Sequence, residues 1–403
     1  MKPIELNLIF TLLAAMGVFF IGRALVSRVS LLKRFSIPAP VVGGGLVAVV
    51  LALTDGLFQI RFAFNLSLKD SLLLMFFTTV GLGADARMLV KGGAKLLIFL
   101  LISAVFIIIQ NAIGMVASRA MDLHPAVGLL GGSITLTGGH GTGAAYAGQF
   151  GGTMNLQGAM ELTMACATAG LVIGAVLGGP LAEYLIKNYK LSGPAPQAVE
   201  EIGAGPGGEP EDRITAETLI STLFILIFCL AGGKFLSQLM EGTGFILPDF
   251  VFCLLLGVVI RNLSSLTKGF QMSANSVDTV GSVALSLFLV MALMTMKLLD
   301  LVNLAGPLLV ILAAQTAAMA VYVVLVTFRV MGRNYDAAIM AAGHVGFGMS
   351  STACALAVMK AVTERHGLSP LAFLIVPMVG AFFIDILNAL IIQGFLTLPF
   401  FGF

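Results

Sequence analysis

Stretches without a single Asp, Glu, Lys or Arg recur along this chain: 6–22, 35–54, 96–118 and 162–182, then 218–233, 250–260, 279–296 and 301–328. Crossing a bilayer takes about 20 consecutive apolar residues in a helix, and a helix satisfies its own backbone where no water can. With 58% hydrophobic and only 10% charged residues, a soluble globule of this sequence would have to expose large apolar surfaces. The reading is an all-α polytopic membrane protein. A net charge of +2 gives no basis for a nucleic-acid partner. The four cysteines lie singly in apolar stretches, which argues against a disulfide framework or a transition-metal site. The first run is long for a signal-peptide core and lacks an A-x-A cleavage site, so we read it as a retained span.

Two shorter runs complete the pattern: 71–84, and a last run over 366–396 broken only by Asp385. Spans are then expected over about 5–25, 35–54, 70–86, 95–118 and 158–186, and again over about 216–236, 245–262, 279–297, 303–328 and 367–396. Between the two sets, 187–214 is rich in Gly, Pro and Glu and reads as a solvated linker. The halves, 1–186 and 215–403, echo one another. Ile37-Pro38 matches Leu247-Pro248, Gln110 matches Gln315, and Gly174 matches Gly380.

Two five-span halves must face opposite ways, and charge agrees. Placing Arg23, Arg28, Lys33 and Arg34 on the cytoplasmic side sorts the Lys and Arg residues sixteen against six. Both termini then lie outside and the linker inside. Two segments are left over, 125–155 and 336–362, each too long for a loop and too glycine-rich for an ordinary span. We read them as re-entrant or broken-helix elements, one in each of two inverted repeats. Paired breaks of this kind mark the substrate site of secondary transporters.

Within the first break, GGSITLTGGHGTGAAY (131–146) supplies Ser133, Thr135, Thr137, Gly138, Gly139, His140, Gly141 and Thr142 as candidate substrate contacts. Glycines let the backbone approach a ligand, and a following helix aims free N–H groups at an anion. The second break supplies His344, Gly346, Ser350, Ser351 and Thr352. Either histidine could donate to a carboxylate or be held by the backbone. By contrast, Gly170, Gly174 and Gly178 keep a four-residue period and read as a packing stripe. Asp385 stands inside a span, where a lone carboxylate costs about 3 kcal/mol, and Asn388 shares its face one turn on. A substrate ammonium or Na⁺ would satisfy both. Thr78, Thr79 and Glu161 are further candidates for a cation. Gln110, Asn111 and Gln315 read as interhelical glue. TTVGLG (78–83) resembles a potassium-channel filter only locally, without the pore helix or repetition such a filter needs. An intramembrane hydrolase would need a nucleophile beside a base, and His140 with a nearby serine is the one candidate pair.

SITLTGGHGTGAA (133–145), MACATAGLVIG (164–174), NYDAAIMAAGHVGFG (334–348) and VPMVGAFFIDILNAL (376–390) resemble the bacterial sodium/glutamate symporter family, as do KRFSIPAPVVGG (33–44) and GSVALSLFLVMALM (281–294). The resemblance implies a transporter and not an enzyme: Na⁺-coupled uptake of L-glutamate in the bacterial inner membrane, with Na⁺ as coupling ion and no other cofactor. It also implies a homodimer and an elevator-like movement of one domain against a scaffold. Glycine-rich re-entrant segments are also similar to those of citrate carriers, so a symporter for aspartate or a citrate-like acid is the alternative.

Overall fold

The structure is a computed structural model that describes residues 4–35, 37–193, 214–240, 248–267, 273–296 and 305–398. Most of the expected linker (187–214) falls outside these residues, as do Lys2, Arg213, Leu247, Lys268 and Lys297. The chain is almost entirely helical. Among the described residues, eight helices are long and apolar enough to cross a membrane: Leu8–Arg28, Ala39–Phe58, Gly93–Ala120, Ala159–Asn188, Ala216–Met240, Ala274–Leu293, Ala305–Val330 and Pro370–Leu396. The chain divides into two compact units, each assembled from both halves of the sequence: 1–83, 140–165 and 213–306 form the first, and 84–139, 166–212 and 307–403 the second.

In the first unit, a short strand β1 (Ile4–Leu6) precedes α1 (Leu8–Arg28) and pairs in parallel with β2 (Phe62–Phe64). The first span therefore starts later than the apolar pattern suggests, because Asn7 caps α1 by accepting from the N–H of Phe10 at 3.0 Å. A turn of helix, α2 (Ser30–Arg34), leads to α3 (Ala39–Phe58), which has proline in its first turn, where no N–H is needed. Then come α4 (Lys69–Gly83), α7 (Gly139–Thr153), the start of α8 (Ala159–Asn188), α9 (Ala216–Met240), α10 (Asp249–Thr267) and α11 (Ala274–Leu293). With only 15 residues, α4 is shorter than the expected 70–86 span. Glycines set the crossings here. A Cβ at Gly43 would meet the Val18 carbonyl at 2.2 Å, so α1 and α3 touch backbone to backbone, and Gly81 does the same for α4 against Leu254 of α10. Phe288, Leu289 and Leu293 of α11 form the core with Ala144 of α7 and Met164 of α8.

The second unit holds α5 (Ala86–Ala120), broken at Gly93, and α6 (Pro125–Leu129), which runs into a π-helical stretch (Leu130–Ile134). It also holds the rest of α8 and α12 (Ala305–Tyr322), from which a π-helical stretch (Val323–Thr327) leads to α13 (Phe328–Val330). A hairpin follows, α14 (Tyr335–Gly348) and α15 (Thr352–His366). The last helix is α16 (Pro370–Met378), a third π-helical stretch (Val379–Phe383) and α17 (Ile384–Leu396). Pro377 has no N–H for the preceding turn, and the helix widens directly after it. Among the described residues, all three wide turns belong to this unit. Such turns concentrate at functional sites because they free backbone groups.

Each arm of the hairpin is capped at its start. Asn334 caps α14 and Ser351 caps α15, each accepting from an N–H three residues on. A Cβ at Gly346 would lie 2.3 Å from Ala355 Cα, and one at Gly343 would lie 2.7 Å from Met359 Sδ, so the two arms run antiparallel. At the open end, the Tyr335 hydroxyl donates to the Gly367 carbonyl, and the Ser369 hydroxyl donates to Asp336 at 2.5 Å. The chain thus returns to where it set out.

Candidate functional site

The polar interior of the second unit centres on two adjacent amides of α5. Gln110 and Asn111 are fully buried. The Gln110 amide nitrogen donates to the Gly348 carbonyl at 2.8 Å, at the tip of the hairpin. Its amide oxygen accepts from the Thr137 hydroxyl at 2.7 Å, in the first glycine-rich break. One side chain therefore spans both breaks. Its own main-chain carbonyl accepts from Gln315 of α12 at 2.7 Å. Asn111 grips the first break one turn earlier, where its oxygen accepts from both the N–H and the hydroxyl of Ser133, at 3.1 and 2.8 Å. These amides lie close because glycine allows it: a Cβ at Gly132 would come within 3.2 Å of the Gln110 carbonyl and 3.1 Å of Asn111.

The Ser133 carbonyl is the second hub. It accepts from the N–H groups of Thr137 and Gly138, and from the Asn388 amide at 3.1 Å. Thr135 turns back on the wide turn, donating to the Leu130 carbonyl at 2.6 Å. Gly139 has φ +69°, the left-handed conformation that favours glycine, and a Cβ there would meet the Ser350 carbonyl at 3.4 Å. At the hairpin tip Ser350 is buried, and Thr352 lies against Gly380, whose Cβ would be 2.9 Å from its hydroxyl. Five residues beyond Gly380 comes Asp385, partly buried, which makes no hydrogen bond or ion pair among the described residues. Asn388, on the same face of α17, is fully buried, and its amide oxygen is unpartnered.

Other candidates are placed differently. His344 is walled in by Phe99, Phe106, Tyr322 and Phe347, and its Nδ1 is 2.9 Å from the Thr327 hydroxyl, the environment of a satisfied core histidine. Gly346 serves the hairpin closure. His140, Gly141 and Thr142 belong to the first unit, where Gly141 faces Phe76 and Leu285. Thr78, Thr79 and Glu161 also belong to that unit, and both threonine hydroxyls donate to carbonyls of their own helix, at 2.8 and 2.7 Å. The stripe Gly170, Gly174 and Gly178 of α8 packs against Met349, Gly346 and Val358 of the hairpin. Gln110, Asn111 and Gln315 are the residues whose importance the sequence understates. Their one signal is an amide in the middle of an otherwise apolar run.

Helices long enough to cross lipid, with a buried polar network among the described residues, define a polytopic membrane protein. The sodium/glutamate symporter family profile matches residues 4–368. A sodium/glutamate symporter of Haemophilus influenzae is 46% identical over 385 residues, 95% of each chain, and one of Escherichia coli is 46% identical over 398 residues, 99% of each chain. This chain belongs to the sodium/glutamate symporter family, a family of transporters and not of enzymes. Among solved structures, a sodium proton antiporter of Methanocaldococcus jannaschii aligns over 97% of this chain and 99% of its own, at 11% identity and a TM-score of 0.42, too distant to bear on the site.

Proposed function

We propose that this protein is a Na⁺-coupled symporter that imports L-glutamate across the bacterial inner membrane. The observation that carries the site is the Asp385 carboxylate, without an ion pair or hydrogen bond among the described residues, one turn from the open amide oxygen of Asn388. A hard cation takes oxygen ligands, and a carboxylate with an amide oxygen is such a pair. The substrate's carboxylates fall to the groups of the two breaks that this network leaves open, with Gly139, Ser350, Ser351 and Thr352 as the candidates; the donors of Ser133, Thr137 and Gly138 are already engaged with Asn111, Gln110 and the Ser133 carbonyl. No Lys or Arg is buried among the described residues to meet an anion in their place, and each helix N-terminus offers about half a positive charge. Cation binding beside the breaks raises their affinity for the anion, and the converse holds by linkage.

Alternating access follows from an elevator-like movement of the second unit. Inverted repeats are supported by helix pairing in the first unit: α10 packs on α4 as α3 packs on α11, and α1 on α3 as α9 on α10. With α1, α3 and α4 of the first half matched to α9, α10 and α11 of the second, each packing has its counterpart. A re-entrant hairpin entering from the cytoplasm is supported at its open end, where Arg365 pairs with Glu183 at 2.8 Å and Gly193, at the edge of the linker, lies against His366. Both termini lie outside in this arrangement. A homodimer is part of this reading, as the resemblance to the family implies.

Proteoliposomes with Na⁺, K⁺ and pH gradients imposed separately test the function. Accumulation of unaltered glutamate driven by the Na⁺ gradient is the expected result, with unlabelled aspartate and citrate as weak competitors. Accumulation that ignores the Na⁺ gradient overturns the reading.

A further inference from the structure

We propose that Asn111 is a positioning residue for the coupling cation, acting through the Ser133 peptide to aim the amide oxygen of Asn388. The inference rests on the reading above that Asp385 and Asn388 hold that cation. It begins from the orientation of two amides, which the backbone fixes. Asn111 must present its oxygen to Ser133, because the Ser133 N–H can only donate. Asn388 must present its nitrogen, because the Ser133 carbonyl can only accept. Neither amide can be turned over without breaking the bond that holds it. Each is therefore left with one defined open end: the Asn388 oxygen and the Asn111 nitrogen, both in fully buried side chains and both unpartnered.

A purely structural tie would close both ends, since an unsatisfied buried polar atom costs about 1–3 kcal/mol. Here the two residues grip Ser133 through its two adjacent peptide groups, Asn111 at the N–H and Asn388 at the carbonyl, and leave an acceptor open on the helix face that carries Asp385. The Ser133 carbonyl is held from the C-terminal side by the N–H groups of Thr137 and Gly138, but the Ser133 N–H lies in a wide turn, beside Gly132 at the non-helical φ −100°, ψ −136°, where the regular ladder is broken. The Asn111 oxygen supplies the restraint, through the N–H at 3.1 Å and the hydroxyl at 2.8 Å. Without it, Ser133 is restrained only on its carbonyl side, by Thr137 and Gly138, and the direction of the carbonyl that orients Asn388 is less closely fixed. Because Ser133 also lies in a substrate-binding break and Asn111 adjoins the Gln110 clamp, the same contacts tie cation occupancy to the geometry of the breaks.

The test measures glutamate uptake by the full chain in proteoliposomes against Na⁺ concentration, with glutamate KM at saturating Na⁺ as the second readout. Asn111→Ala is expected to raise the half-saturating Na⁺ concentration about fivefold, the worth of one hydrogen bond, with glutamate KM changed less than about twofold. In an Asn388→Ala background the same substitution is expected to add nothing, because no oxygen is left to aim. Ser133→Ala removes only the hydroxyl bond and is expected to shift Na⁺ dependence about twofold, so it carries the test if Asn111→Ala does not assemble. An unchanged Na⁺ dependence in these variants, or a shift that persists in the Asn388→Ala background, overturns the proposal. If Asn388→Ala alone leaves Na⁺ dependence unchanged, the cation reading has failed, and that result needs no Asn111 variant.

Discussion

At the scale of single residues, Asp385 and Gln110 are opposites. Asp385 makes no ion pair or hydrogen bond among the described residues, so under the proposed function it weakens the empty protein and strengthens the loaded one. Purified wild-type protein is expected to gain several degrees in melting temperature when K⁺ is replaced by Na⁺, as any ligand specific for the native state would give. Asp385→Asn is expected to match or exceed the wild type in K⁺ and to lose the Na⁺ increment, together with Na⁺-driven uptake. A retained increment removes Asp385 from the cation site. Gln110 has both ends bonded, so removing it only costs. Gln110→Leu leaves the Gly348 carbonyl and the Thr137 hydroxyl without their amide, a loss of about 2–4 kcal/mol for two buried polar atoms. Thermal unfolding in detergent is the check. Asp385 stands out in the sequence as a candidate because a carboxylate deep in an apolar run is costly without a partner. The bond from Gln110 to Gly348 was not legible: the partners are 238 residues apart, and such a pairing leaves no periodic trace in one chain.

At the scale of elements, the hairpin of α14 and α15 depends on side chains that are missing. Gly346→Val would put carbon within bonding range of the opposite arm, where only backbone stands to receive it, so the arms must part. We expect a loss of about 2–4 kcal/mol or failure to assemble. Gly179→Ala in α8, whose Cβ would meet nothing within 4 Å, is the control and should stay within about 0.5 kcal/mol. Size-exclusion profiles and melting temperatures distinguish them, and equal behaviour of the two would refute the packing argument. Both caps of the hairpin, Asn334 and Ser351, could be read from residue type. The wide turns could not. Pro377 announces that something must give after it, but only the neighbouring helices choose a π-helical turn over a kink.

At the scale of the molecule, the charge asymmetry makes a prediction independent of the site. A cysteine introduced as Lys190→Cys should react with a membrane-impermeant reagent only from the cytoplasm, and Arg61→Cys only from outside; labelling of both from one side refutes the topology. The sequence by itself determined that the chain is helical and enters lipid more than once. The physical reason is that burial in hydrocarbon is a local requirement, met or failed within about 20 residues. Only the tertiary structure decided which polar groups meet: that one glutamine joins the two breaks, that His344 is enclosed by rings, and that the segment 125–153 is shared between two units at Gly139. Those outcomes depend on how helices far apart in the chain settle against each other. Packing of that kind is fixed by close approach at glycines and by the need to satisfy every buried donor, neither of which is written into any one stretch.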